Sequence, residues 1–191
     1  MLKQTMIEIK KGWKIAVLDL ESTGLKADYA HVVCAVVHDY TNKTTRTFRI
    51  DNYPEHLTKP DKYLVEDIIG YINTFDVLVT WNGTNFDKKF LNTRSFLNGS
   101  RIWIKEIANR DIIFFARHRL LIASRKLQFA SQVILGKSAK TFTTPKIWYA
   151  LLRGKKWAID RMVAHCRYDV ADTTRLYKKF LPFLSRDLKK K

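Results

Sequence analysis

The sequence predicts an α/β fold: a central mixed five-stranded sheet with helices on both faces and a helical C-terminal half. Three observations carry this. Short apolar runs that read as strands open the chain, strands and amphipathic helices then alternate, and the chain beyond Asp111 reads as helix throughout.

The first strand is expected at Lys14–Leu20, on the apolar run Lys14–Leu18. The next two, His31–Tyr40 and Thr44–Ile50, flank Thr41-Asn42-Lys43, whose composition suits a hairpin loop. Lys62–Phe75 places Leu64, Val65, Ile68, Ile69 and Ile72 on one helical stripe. Asp76 then breaks into a second short apolar strand, Val77–Trp81. Asn82-Gly83-Thr84-Asn85 is a turn, and Phe86–Leu97 is again helical. A fifth strand is expected at Ile102–Ile107, ending near Asp111. Helices follow at Asp111–Leu121, Lys126–Leu135, Pro145–Leu152 and Trp157–Leu184. An opening antiparallel meander followed by strand–helix alternation makes the sheet a mixed one.

Composition narrows the class. The 191 residues suit one domain, 1–191, with a short basic tail at 186–191 that ends in Lys189-Lys190-Lys191. At 46% hydrophobic and 13% aromatic the chain is globular and not disordered. No apolar run approaches the ~18 residues of a membrane span, and Met1–Lys14 lacks the apolar segment of a signal peptide. A cytoplasmic protein is expected, in a bacterium, an archaeon or a phage-infected host. Cys34 and Cys166 sit among apolar neighbours, as buried free thiols of a reducing compartment do, and no Cys/His cluster has zinc spacing. Lys plus Arg outnumber Asp plus Glu by 35 to 18, a net charge of +17. That excess points to a polyanion, with nucleic acid the leading candidate; no basic amphipathic helix supports a membrane surface.

Three motifs carry chemistry. Asp19 and Glu21 stand two apart at the end of the first strand, so both side chains leave the same face. Paired carboxylates at a core strand's end repel and resist desolvation, and a hard divalent cation resolves the conflict. A solvated acidic pair is the plainer reading. Asp87 opens a helix just after a strand, where open α/β sheets place their sites, although any Asp there interacts well with the helix dipole. His165 and Asp169 are four apart on the last helix and share a face, as a proton acceptor beside a metal ligand or as a plain helix-face hydrogen bond.

Taken together, Asp-x-Glu on the first strand, Asn-x-x-x-Phe-Asp mid-chain and His-x-x-x-Asp in the last helix resemble the DEDD exonucleases. These are DnaQ-like 3′–5′ exonucleases of the ribonuclease H-like superfamily, which includes polymerase proofreading domains. The resemblance spans about Lys14 to Phe183, and Asp-x-Glu-x-Thr-Gly-Leu is its most specific part. The last motif departs from the best-known subgroups, which carry a His five residues before the final Asp or a Tyr four before it. Here His165 stands four before Asp169, and Tyr168 four before Asp172. The phrase His-Cys-Arg-Tyr-Asp-Val-Ala-Asp-Thr-Thr-Arg-Leu looks like the Tyr-Cys-x-x-Asp-Val-x-x-Thr-x-x-Leu signature of a predicted exonuclease branch, with His in the Tyr position. Both registers stay open.

The resemblance implies a ribonuclease H-like fold and hydrolysis of phosphodiesters from a 3′-OH end with two Mg²⁺ (or Mn²⁺). Asp19, Glu21 and Asp169 would hold one metal; Asp19, with outer-sphere help from Asp87, would hold the other. His165 would accept the proton of the attacking water. Ser22 and Thr23 would meet the terminal 3′-OH, and Leu25 would wedge between bases. Asn82, Asn85 and Phe86 would form the other lip, Trp81 is read as core, and Lys140 is either a solvated loop lysine, the plainer reading, or a phosphate contact. The expected partner is single-stranded nucleic acid or 3′ ends, DNA ahead of RNA, with no membrane. Oligomeric state leaves no signal. Two competing classes are a structure-selective endonuclease and a non-catalytic nucleic-acid binder on the same fold.

Overall fold

The structure, a computed structural model, describes residues 12–54, 59–138 and 143–184. Lys140 and the basic tail at 186–191 lie outside the described residues. The elements in order are β1 (Ile15–Ser22), β2 (Val32–Asp39), β3 (Thr44–Arg49), α1 (Lys62–Ile72), β4 (Val77–Thr80), α2 (Asp87–Leu97), β5 (Ala108–Asp111), α3 (Ile113–Arg119), α4 (Leu127–Leu135), α5 (Pro145–Leu152) and α6 (Lys156–Leu184). They build a five-stranded sheet of order β3-β2-β1-β4-β5. The β1/β2 and β2/β3 pairs are antiparallel, and β1/β4 and β4/β5 are parallel. No helix among the described residues is long and apolar enough to cross a membrane.

Strand alternation sorts the core into two layers. Ala16, Leu18 and Leu20 of β1 pack with Leu64, Val65, Ile68, Ile69 and Ile72 of α1 on one face. Ile15 and Val17 pack with Met162, Val163, Cys166 and Val170 of α6 on the other. Asp19 and Glu21 continue the second register, so the acidic pair points to the α6 side. In β2, Val32 to Val37 are all buried because both faces are covered. In β3 only Phe48 is buried, while Thr44, Thr45 and Arg46 are exposed, as an edge strand requires. The β2–β3 connection is the expected hairpin, closed by Asp39, whose carboxylate accepts the N–H groups of Thr41 and Asn42 at 2.9 and 2.8 Å.

Two boundaries differ from expectation. The fifth strand is not Ile102–Ile107 but the four residues Ala108–Asp111. Side chains from α2 and the end of α1 claim the earlier backbone: Asn92 accepts from Ile104 N–H and Asn73 from Lys105 N–H, while Asn73 donates to the Trp103 carbonyl and Ser95 to that of Ile102. Groups bonded this way cannot join a ladder. The first strand runs two residues past Leu20, because β2 keeps pairing with it: Glu21 lies opposite Cys34, and Ser22 opposite Val32 after a bulge. Glu21 is therefore held by the sheet, not by a loop.

Candidate active site

The pairing pattern makes the site. On its parallel side β1 is bonded to β4 only as far as Val17, so Leu18 to Ser22 have a free edge at the C-terminal end of the sheet. Open α/β sheets place ligands at such ends. The N-terminus of α2 fills the gap and brings Asp87, only 5% exposed, with backbone hydrogen bonding at Leu20 to its carboxylate. From the other flank α6 brings His165 and Asp169. The His165 Nε2 is 3.6 Å from Glu21 Oε1 and 3.7 Å from Asp169 Oδ2. Cys166 fixes this registration by placing its Sγ 3.1 Å from the Asp19 carbonyl oxygen, the thiol donating.

Four carboxylates thus converge, and burial together with their mutual repulsion disfavours the charged forms. Asp19 is pushed well above the usual carboxylate range, by burial first and then by Asp87, Glu21 and Asp169. Glu21 is pushed up to about 8 by burial, with Asp169 and Asp87 adding to it. Asp87 rises to about 7; burial dominates, backbone hydrogen bonds at Asp87 and Leu20 offset part of it, and Asp111 adds repulsion. Asp169 is raised by burial, against the pull of His165.

The donor set fits a divalent cation. Asp19 Oδ2 and Asp87 Oδ1 are buried without any hydrogen-bond partner. One ligand atom each from Glu21, His165 and Asp169 lie within 4.8 Å of one another. Among the described residues no lysine or arginine forms an ion pair with any of the four carboxylates. Buried anionic oxygens lacking both hydrogen bonds and cationic side chains are what Mg²⁺ or Mn²⁺ would satisfy, by carboxylate ligation. Asp169 keeps 29% of its side chain exposed, which leaves the cluster open to a ligand from outside.

The remaining expected site residues fare unevenly. Leu25 is 82% exposed on the β1–β2 loop. Ser22 and Thr23 are spent on that loop instead of facing a ligand freely. The Ser22 hydroxyl, 6% exposed, donates to the Gly24 carbonyl at 2.6 Å. Thr23 donates its N–H to the His31 carbonyl, and its Oγ1 accepts the His31 N–H at 2.9 Å. Asn82 adopts φ 70, and Asn85 reaches back to its side-chain oxygen at 3.3 Å. Phe86 is no open stacking platform: it is partly buried in the α1–α2 core, 5.3 Å from the Phe90 ring. Trp81 packs on the core as expected and donates to the Arg125 carbonyl. In the alternative register of the last motif, Asp172 is 3% exposed and accepts from Arg175 at 2.8 Å, while Tyr168 is 45% exposed. His165 and Asp169, not Tyr168 and Asp172, are the pair brought to Glu21.

Two residues that shape the site were not singled out from sequence. Asp111, at the end of β5 opposite Thr80, accepts the N–H groups of Asn82 and Thr84 at 2.7 and 2.9 Å and so fixes the turn before Asp87. Gly83 sits so tightly in that turn that a Cβ would stand 2.5 Å from Thr80 Cβ. The available signal was an Asp ending a strand parallel to β4, which lands beside the β4 turn.

Comparison with known proteins agrees with this architecture. The chain is similar to the family B DNA polymerase from the hyperthermophilic archaeon Pyrobaculum calidifontis, with a TM-score of 0.70 at 16% identity. That alignment covers 93% of this chain and 26% of the polymerase, so the chain spans about a quarter of that protein's length. At such identity the likeness is one of fold. In all, 271 chains of solved structures match, and because one fold hosts many functions, function has to be argued from the site. No curated protein sequence matches the chain. The family model of the RNase H superfamily matches residues 16–181. The chain therefore belongs to the RNase H superfamily, and its sheet order and core are those of a ribonuclease H-like fold.

Proposed function

We propose that this chain is a metal-dependent 3′–5′ exonuclease of the DEDD, DnaQ-like kind, hydrolysing nucleic-acid phosphodiesters. One observation carries the reading: Asp19, Glu21, Asp87 and Asp169 meet, with His165, at the open end of β1, and no lysine or arginine among the described residues pairs with them. Four carboxylates in a nucleic-acid groove repel phosphate unless cations lie between. That argues against a purely binding role. Asp19, Glu21 and Asp169 would hold one Mg²⁺ or Mn²⁺, and Asp19 with Asp87 a second. When bound, such ions supply an activated water and stabilise the charge of the leaving oxygen.

The protein groups do the rest. His165 sits at the rim with Nε2 toward Glu21 and Asp169, where it can take up the proton of the attacking water at that atom. Asp169, on the next helical turn with its Oδ2 3.7 Å from Nε2, orients the ring. Exposed Leu25 offers an apolar edge to unstack a terminal base. Because the Ser22 and Thr23 side chains close the loop, recognition of the terminal hydroxyl falls chiefly to loop backbone near Gly24. The likeness to a DNA polymerase supports DNA over RNA as substrate.

End-labelled single-stranded DNA and RNA, incubated with and without Mg²⁺, test the proposal. We expect a ladder that shortens from the 3′ end, needs Mg²⁺, and is absent with Asp19→Asn. Discrete internal cuts would replace the exonuclease by a structure-selective endonuclease. A mobility shift without cleavage would leave a binding protein.

A further inference from the structure

Across α6 from the carboxylate cluster lies a second feature that hydrolysis does not use. The α6-facing side of β3 is uncovered, and between it and the helix runs a groove of about 500 Å³ bordered by His38, Thr45, Thr47, Arg167 and Thr174. A second hollow of about 640 Å³ shares Thr47 and Arg167 with the first and continues past Tyr168. The two form one channel along α6, of a size that takes extended ligands.

Its chemistry is that of a strand of nucleic acid. Arg167 spends Nε and Nη2 on the Thr47 hydroxyl oxygen at 3.2 and 3.1 Å, and no carboxylate among the described residues pairs with it. The other arginines of the channel are committed: Arg175 to Asp172, and Arg49 to Asp51 and Asp160. Arg167 is thus the cation left for an anionic ligand, with the threonine hydroxyls around it as further donors. Next to it Tyr168 is 45% exposed and enters no ring pair among the described residues, so its face is open to a base. A cation beside an open aromatic face, on a chain of net charge +17, is the composition that holds single strands without regard to sequence.

We propose that this channel binds the phosphodiester backbone of a single strand, Arg167 on a phosphate and Tyr168 under a base. At about 100° per residue, Arg167 and Asp169 lie on opposite flanks of α6, and Tyr168 on the crest between them. A strand whose end occupies the carboxylate cluster crosses the helix over Tyr168 and descends to Arg167. That path rests on the catalytic reading of the cluster; the affinity of the channel does not.

The test measures anisotropy of a labelled oligothymidylate in EDTA, over a salt series, together with cleavage of a dinucleotide in Mg²⁺. Arg167→Gln should weaken oligothymidylate binding by about an order of magnitude and reduce the salt slope by roughly 0.7, the share of one phosphate on a single strand. Arg167→Glu should weaken it further, with both variants melting like the wild type. Lys146→Gln, an equal charge change at an exposed position of α5, should bind like the wild type. Dinucleotide cleavage should be the same in all four proteins. Unchanged binding by both Arg167 variants overturns the proposal, as does a Lys146→Gln loss equal to that of Arg167→Gln. Slowed dinucleotide cleavage by Arg167→Gln overturns it too, since Arg167 would then serve the cluster. Absence of cleavage in every protein, with the binding pattern intact, would sink the exonuclease reading and support the channel.

Discussion

Replacing Glu21 by Gln should stabilise the metal-free protein at mildly alkaline pH while disabling the site. Glu21 is 15% exposed and shares its space with three other carboxylates, and its carboxyl is raised from the ordinary 4.5 to about 8. The folded state therefore holds this proton more tightly than the unfolded chain does. Folding stability from this group is greatest below pH 4.5 and is lost as pH rises toward about 8. At about 1.4 kcal/mol per pH unit, the gap bounds the penalty at about 5 kcal/mol. Asp19, Asp87 and Asp169 share the repulsion, so one substitution relieves part of it, about 1–3 kcal/mol. Urea unfolding in EDTA reads this directly. Wild type and Glu21→Gln should coincide near about pH 5 and diverge by about pH 8, with the variant the more stable. Other carboxylates, such as Asp61, which Arg94 holds below the usual range despite its burial, cancel in the difference. Added Mg²⁺ should stabilise the wild type by about 2.7 kcal/mol at a hundredfold excess over Kd, and the variant much less. A difference that stays flat with pH, or a variant that is less stable at alkaline pH, would refute the picture of a charge-strained cluster.

Three further outcomes follow from the same geometry. Mg²⁺ binding near pH 7 should release protons, because Glu21 at about 8 and Asp87 at about 7 carry protons that a cation displaces; calorimetry in two buffers of different ionisation enthalpy measures the count, and zero release would contradict these shifts. His165→Ala should cut hydrolysis at neutral pH about a hundredfold or more, whereas Tyr168→Phe should change it little; the reverse ranking moves the site to Tyr168 and Asp172. Asp111→Asn keeps a single side-chain acceptor where two turn N–H groups need one each, so thermal melts should show a loss of about 1–3 kcal/mol along with slower hydrolysis.

The sheet was legible because its determinants are local. Val77, Leu78 and Val79 are apolar without alternation, and only a strand covered on both faces calls for that. The α1 stripe of Leu64, Val65, Ile68, Ile69 and Ile72 is buried as its spacing predicts. The fifth strand was misplaced because Ile102 to Ile107 has strand-like composition, yet its backbone is claimed by Asn73, Asn92 and Ser95. Those partners lie 7 to 32 residues away and outside the segment, so its own composition does not reveal them.

The cluster divides along the same line. Side-chain periodicity alone puts Asp19 beside Glu21 on β1, and His165 beside Asp169 on α6. Their convergence depends on β1 outrunning β4 by several residues, a matter of tertiary pairing that leaves the free edge where Asp87 arrives. Ser22 and Thr23 show the opposite case. A hydroxyl beside a catalytic acid reads as a ligand contact, but short polar side chains in a turn bond first to nearby backbone, and here both do. Asp111 escaped notice for the converse reason: its partners, Asn82 and Thr84, lie 29 and 27 residues away in sequence. A carboxylate that organises backbone N–H groups across two parallel strands leaves no motif, only a position. It is the strand order, through the Thr80–Asp111 pairing, that turns that position into a support for Asp87.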